Sequence, residues 1–127
     1  MEETRKERVR RVLRVLVAAG MIAIGVLHFA APDGFVKIVP KALPAPHVLV
    51  AISGAAEIAG GVGLLLERTR KLASWGLVAL YVSVFPANIN MAVNDIQPVG
   101  VHIPAALMWL RLPLQAAFIA LAWWVGK

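Results

Sequence analysis

Residues 52–66 read ISGAAEIAGGVGLLL, a run apolar enough to sit in lipid that carries a single carboxylate, Glu57, near its middle. Gly54, Gly60, Gly61 and Gly63 surround that charge. On a helix, Ser53, Gly54, Gly60 and Gly61 lie three or four positions from Glu57 and share its face. A face of small residues lets a neighbouring membrane helix approach closely. Glu57 is therefore expected to point into a helix bundle, not into lipid. An ionisable group at that depth needs a partner and marks a candidate functional site.

The rest of the chain fits a bundle of this kind. Apolar residues make up 60% of the 127, and the mean hydropathy is +0.76, above the usual level for a soluble domain. The absence of cysteine excludes disulfides, thiol nucleophiles and thiolate metal sites in this chain. The net charge of +6 does not point to nucleic acid, because the basic residues cluster between long apolar runs.

Four spans are expected, at about 12–30, 46–66, 72–93 and 103–125, in one membrane domain covering 1–127. Each approaches or exceeds the ~20 residues needed to cross a hydrocarbon core. Residues 1–11 form a charged start that, with Arg14, snorkels to lipid headgroups. The stretch after the first apolar run, His28-Phe29-Ala30-Ala31, is a poor cleavage site, so the run reads as an uncleaved span.

Basic residues set the topology. Arg5, Lys6, Arg8, Arg10, Arg11, Arg14, Arg68, Arg70, Lys71 and Lys127 fall on one side, and only Lys37 and Lys41 on the other. The positive-inside rule makes both termini cytoplasmic. The fold class expected is all-α: an antiparallel four-transmembrane-helix bundle. Residues 31–45 contain Pro32, Pro40 and Pro44, which forbid one long helix. The apolar residues Phe35, Val36, Ile38 and Val39 make this outer loop either an interfacial segment or an ordinary linker.

Pro86 should kink the third span and Pro113 the fourth, each freeing a carbonyl. Asn88 and Asn90 stand about 200° apart on an ideal helix, so both reach the interior only if the kink redirects one or Asn90 lies at headgroup depth. Glu57 lies ~16 Å below Pro46, Arg111 ~12 Å below Ile103 and Asn88 ~8 Å from its span's outer end, at ~1.5 Å per residue. His28 sits near the outer end of the first span. All four spans thus place polar groups in the outer half. The candidate ligand-binding and proton-relay residues are His28, Glu57, Asn88 and Arg111, with Ser53, Asn90, His102 and Gln115 as secondary members. Arg111 is the expected partner of Glu57 and lies within reach of the Trp109 carbonyl that Pro113 frees.

Such a layer suits a quinone or similar apolar ring, which needs donors for its carbonyl oxygens and a route for protons. No histidine spacing asks for haem, and no donor spacing asks for a metal. Two competing readings use the same residues. In one, the Glu57–Arg111 pair only sets helix register in a structural or partner-binding protein. In the other, Glu57 serves a proton-coupled transporter, for which four short spans are too little protein unless the chain forms a homo-oligomer.

The sequence also resembles a known family. Gly25-x-x-His28-Phe29 precedes a Pro-rich outer loop with Ile38-Val39-Pro40. SGAAEIAGGVGLLLERTR and Phe85-Pro86-Ala87-Asn88-Ile89 follow in the second and third spans. In order, these elements resemble the DoxX family of small four-helix bacterial membrane proteins, over about residues 21–115. The resemblance implies a multi-pass protein of the bacterial inner membrane. It also implies a place in a redox system, as a quinone-linked oxidoreductase subunit or the partner of a redox protein. With no cysteine, any sulfur chemistry would belong to that partner. If this chain has a catalytic part, the resemblance makes it that of an oxidoreductase subunit.

Overall fold

The computed structural model describes residues 2–96 and 103–127. Five helices follow one another: α1 (Arg5–Ala30), α2 (Asp33–Ile38), α3 (Pro46–Leu65), α4 (Arg70–Val93) and α5 (Ala105–Val125). All but α2 are long and apolar enough to cross a membrane. The expected spans are thus present, with one change of extent: α1 starts seven residues before the expected position 12. The cause is a capping box, in which Thr4 Oγ1 accepts from the Glu7 amide while Glu7 Oε2 accepts from the Thr4 amide.

The helices run around the bundle in the order α1, α3, α4, α5, and α5 closes against α1. The most extensive packing is between α1 and α3, and glycine makes it possible. A Cβ on Gly25 would lie 2.7 Å from the Gly54 carbonyl oxygen, and one on Gly61 would lie 2.8 Å from that of Ala18. The two backbones therefore nearly touch at two levels, which is how small residues drive association where lipid supplies no hydrophobic force. The other α3 glycines serve α4 instead: Gly60 faces the Leu77 side chain and Gly63 faces Ala73.

Two apolar clusters hold the ends. At the end carrying the basic residues, Ala18, Met21, Leu64, Leu77, Ala122 and Val125 join α1, α3, α4 and α5. At the other end Met91, Ala92 and Met108 pack α4 on α5, with Ile38 of α2 against them. Large side chains such as Leu16, Leu72, Trp75 and Phe118 stay exposed on the outside, as suits a lipid-facing surface.

Polar side chains close the helix ends at the basic end. Thr69 Oγ1 donates to the Gly63 carbonyl at 2.9 Å, and Arg70 Nε to that of Leu64 at 2.9 Å. Arg14 Nε donates to the Val125 carbonyl at 2.7 Å. These donors meet carbonyls that a helix C-terminus leaves unpaired, where its dipole also favours positive charge. Three of the N-terminal arginines expected at the headgroups also have partners within the protein: Arg14 caps α5, Arg11 holds Glu3 and the Arg10 guanidinium lies 5.0 Å over Trp124.

Residues 31–45 contain a short helix rather than only a linker. α2 lies over α3 and α4, tied down by Asn90, whose Nδ2 donates to the Ile38 carbonyl at 3.0 Å. Ala45, just before Pro46, sits at φ 49°, a left-handed conformation uncommon for a residue with a Cβ.

Candidate functional site

Glu57 is buried, as the glycines around it implied. It faces α1, and its neighbour there is His28: Nδ1 of His28 lies 3.7 Å from Glu57 Oε2. The same nitrogen lies 2.8 Å from the Ile24 carbonyl, so the ring donates along its own helix and leaves the carboxylate at ion-pair distance. Gly54 permits this approach, since a Cβ there would lie 2.6 Å from His28 Cβ. Phe35 of α2 stacks on the imidazole, with ring centroids 3.8 Å apart and planes at 20°. Glu57 Oε2 is fully buried and has no hydrogen-bond partner among the described residues. A buried acceptor left unmade costs roughly 1–3 kcal/mol, and more when charged, so its persistence calls for an explanation.

The expected Glu57–Arg111 pair does not form. No ion pair joins the two, because α3 packs between α1 and α4 while α5 stands across the bundle. Depth along the chain puts both charges in the same half but does not say which helices are neighbours. Arg111 lies on the exposed flank of α5. Its guanidinium donates to Met91 Sδ at 3.5 Å, not to the Trp109 carbonyl. The register reading built on a Glu57–Arg111 pair is corrected with it: the close partner of Glu57 is His28.

Asn88 and Gln115 form a second polar group, between α4 and α5. Both are buried, and Asn88 Nδ2 donates to Gln115 Oε1. Gln115 Nε2 in turn donates to the Tyr81 carbonyl at 2.8 Å, five residues before Pro86. The amide of Gln115 thus ties α5 to α4 one residue before Val82, whose carbonyl Pro86 leaves without its helical donor. Asn90 belongs to neither group. It faces α2, and its Oδ1 accepts from Asn94 at 2.6 Å, which resolves the angular conflict with Asn88. Ser53 is half-buried and makes no hydrogen bond among the described residues. His102 lies outside the described residues.

Tyr81 ties α1 and α5 to α4 and was not singled out from the sequence. Its hydroxyl donates to Met21 Sδ, bridging α4 to α1, and its ring lies against Phe118 of α5. The signal available was that it is the only tyrosine in the chain and sits in the middle of a span. Phe35 also escaped notice as a site residue, because only the fold brings the outer loop over His28.

Two hollows are found away from these residues. An apolar groove of about 620 Å³ runs along the lipid-facing side of α3 and α4, past Gly60, Gly63 and Gly76. A smaller one of about 260 Å³ opens at the basic end between α4 and α5. Among the described residues, no three His, Asp or Glu side chains gather as metal ligands do.

A family model described as a domain of unknown function, DUF8561, matches residues 17–126. The chain belongs to the DUF8561 family. The match takes in all of α3, α4 and α5 and α1 from residue 17, so the His28–Glu57 pair and the Asn88–Gln115 pair both lie within the DUF8561 region. No curated protein and no solved structure matches this DUF8561 member.

Proposed function

We propose that this DUF8561 protein binds a small lipid-soluble ligand of the quinone class, with His28 and Glu57 as the groups that meet its oxygen atoms. The observation that carries the reading is Glu57 Oε2, buried without a hydrogen bond among the described residues and 3.7 Å from His28 Nδ1. A ligand hydroxyl, such as that of a reduced quinone, supplies the donor this oxygen lacks. The stacked His28 and Phe35 rings offer an aromatic flank for a flat ligand. His28 and Glu57 together give a released proton two adjacent acceptors. Asn88 and Gln115 bond one another and hold α4 to α5 near Pro86.

The wider setting follows the same reading. The basic end, holding ten of the thirteen Lys and Arg residues, faces the cytoplasm, and both termini lie there. The motif resemblance to DoxX proteins supports a bacterial inner-membrane location and a redox partner protein that takes the electrons. Arg111, exposed on α5, is placed to meet such a partner or a second copy, not Glu57.

Titration of a short-chain benzoquinol into the detergent-purified chain, followed by tryptophan quenching, tests the reading. Saturable binding to one site is expected, weakened about tenfold or more in Glu57→Gln, since hydrogen bonds to charged groups contribute roughly 1.5–3 kcal/mol. Equal affinity in a Glu57→Gln variant that keeps its thermal stability would overturn it. A purely structural His28–Glu57 contact predicts instead a loss of stability in each single variant, partly recovered in His28→Leu/Glu57→Leu.

A further inference from the structure

The hollow of about 260 Å³ at the basic end is bounded by Lys71, Ser74, Trp75, Trp123, Gly126 and Lys127. We propose that it seats the phosphate of an anionic phospholipid headgroup, between the two lysine ammonium groups and the two indoles.

The hollow exists because α5 ends close against α4. Ser74 Oγ donates to the Ala122 carbonyl at 2.6 Å, and a Cβ on Gly126 would lie 2.1 Å from Ser74 Cβ. The chain thus turns away at Gly126 and brings Lys127 over α5, where its Nζ stands 4.1 Å above the Trp123 ring. A cation held on an indole face is oriented but keeps its charge and its remaining donors. Lys71 stands across the opening in the first turn of α4 and makes no ion pair among the described residues.

Positive charge predominates around it. Arg14 donates to the Val125 and Lys127 oxygens and Arg70 to the Leu64 carbonyl, so both guanidinium groups are held at this end of the bundle. Thr69 turns its hydroxyl back to Gly63, so no side chain caps α4 and its first turn holds no acidic residue. The positive end of that helix faces the hollow opposite the C-terminal end of α5, whose Ala122 and Val125 carbonyls are taken up by Ser74 and Arg14. Trp75 and Trp123, 60% and 44% exposed, place the opening at the level where aromatic rings meet headgroups. Two cations beside a hollow smaller than a drug-sized site suit a phosphate group with one adjoining acyl stem.

Native mass spectrometry of the full chain released from detergent tests this, with phosphatidylglycerol and phosphatidylcholine as probes. Phosphatidylglycerol adducts are expected to persist at lower lipid concentration than phosphatidylcholine adducts. That preference should fall about fivefold for each of Lys71→Gln and Lys127→Gln. Arg5→Gln/Lys6→Gln, which removes two charges outside the hollow, should leave it unchanged. Equal retention of both lipids would overturn the proposal, as would a preference that falls as much in Arg5→Gln/Lys6→Gln as in the lysine variants. Displacement of phosphatidylglycerol by millimolar inorganic phosphate would overturn the assignment to a lipid. Thermal melts of each variant separate loss of the site from loss of the fold.

Discussion

Replacing Gly25 by alanine should separate the two helices that carry His28 and Glu57. The new Cβ would lie 2.7 Å from the Gly54 carbonyl oxygen and 2.7 Å from Ile58 Cγ1. Ordinary contact begins near 3.4 Å, so the backbones must part by 3.4 − 2.7 = 0.7 Å, and the obstacle is a carbonyl that cannot rotate away. Overpacking of this kind costs roughly 1–3 kcal/mol. At about 3 °C per kcal/mol for a chain of this size, a midvalue of ~2 kcal/mol lowers the melting temperature by roughly 6 °C. Gly20 and Gly76 have no atom within 4 Å of an added Cβ. Alanine there removes only glycine's entropic cost in a helix and should stabilise by about 0.5–1 kcal/mol. Thermal unfolding in detergent, read from the four tryptophans, compares all three variants. Equal melting temperatures for Gly25→Ala and Gly20→Ala would refute the close α1–α3 approach.

Gln115→Leu leaves the buried Asn88 amide without its partner and removes the second bond to the Tyr81 carbonyl, and should cost ~2 kcal/mol, of which Asn88→Leu in the same chain recovers part. Additive losses in a double-mutant cycle would argue against the contact. Ala45→Gly relieves a left-handed residue at φ 49° and should stabilise by about 1 kcal/mol; a loss in the same melt would count against that conformation. The Arg11 guanidinium, hydrogen-bonded to Glu3, holds that carboxyl below its ordinary value of 4.5. A lowered folded value means the tether is fully present above pH 4.5 and is lost as pH falls through the folded value, so Cα shifts of residues 3–8 should move toward coil only on that descent. Shifts that move instead between neutral pH and 4.5 would contradict it.

Length and hydropathy were enough to give the four long helices, because a span in lipid must satisfy its own backbone and needs about 20 apolar residues to do so. The glycines around Glu57 foretold its burial for the same reason that they allow α1 and α3 to touch. The partner of Glu57 was not legible. Rise per residue fixes depth, whereas neighbourhood around a bundle depends on packing between faces, and the faces of α3 are nearly all apolar. Gly25 and Gly54 hold that information jointly, and neither shows it alone. Asn88 and Gln115 were each marked, but their pairing depends on how the faces of α4 and α5 meet, which spacing within either helix does not give. Arg14 read as a headgroup contact because its sequence surroundings are basic. Its role at the end of α5 depends on a contact 111 residues away.

The central claim is that the His28–Glu57 pair meets a lipid-soluble hydroxyl or carbonyl compound. The most direct measurement is mass spectrometry of the organic extract from detergent-purified protein, beside a Glu57→Gln control of equal stability. A quinone-class compound near one per chain, lost in the control, is the expected result. Bulk phospholipid alone in both extracts would contradict the claim.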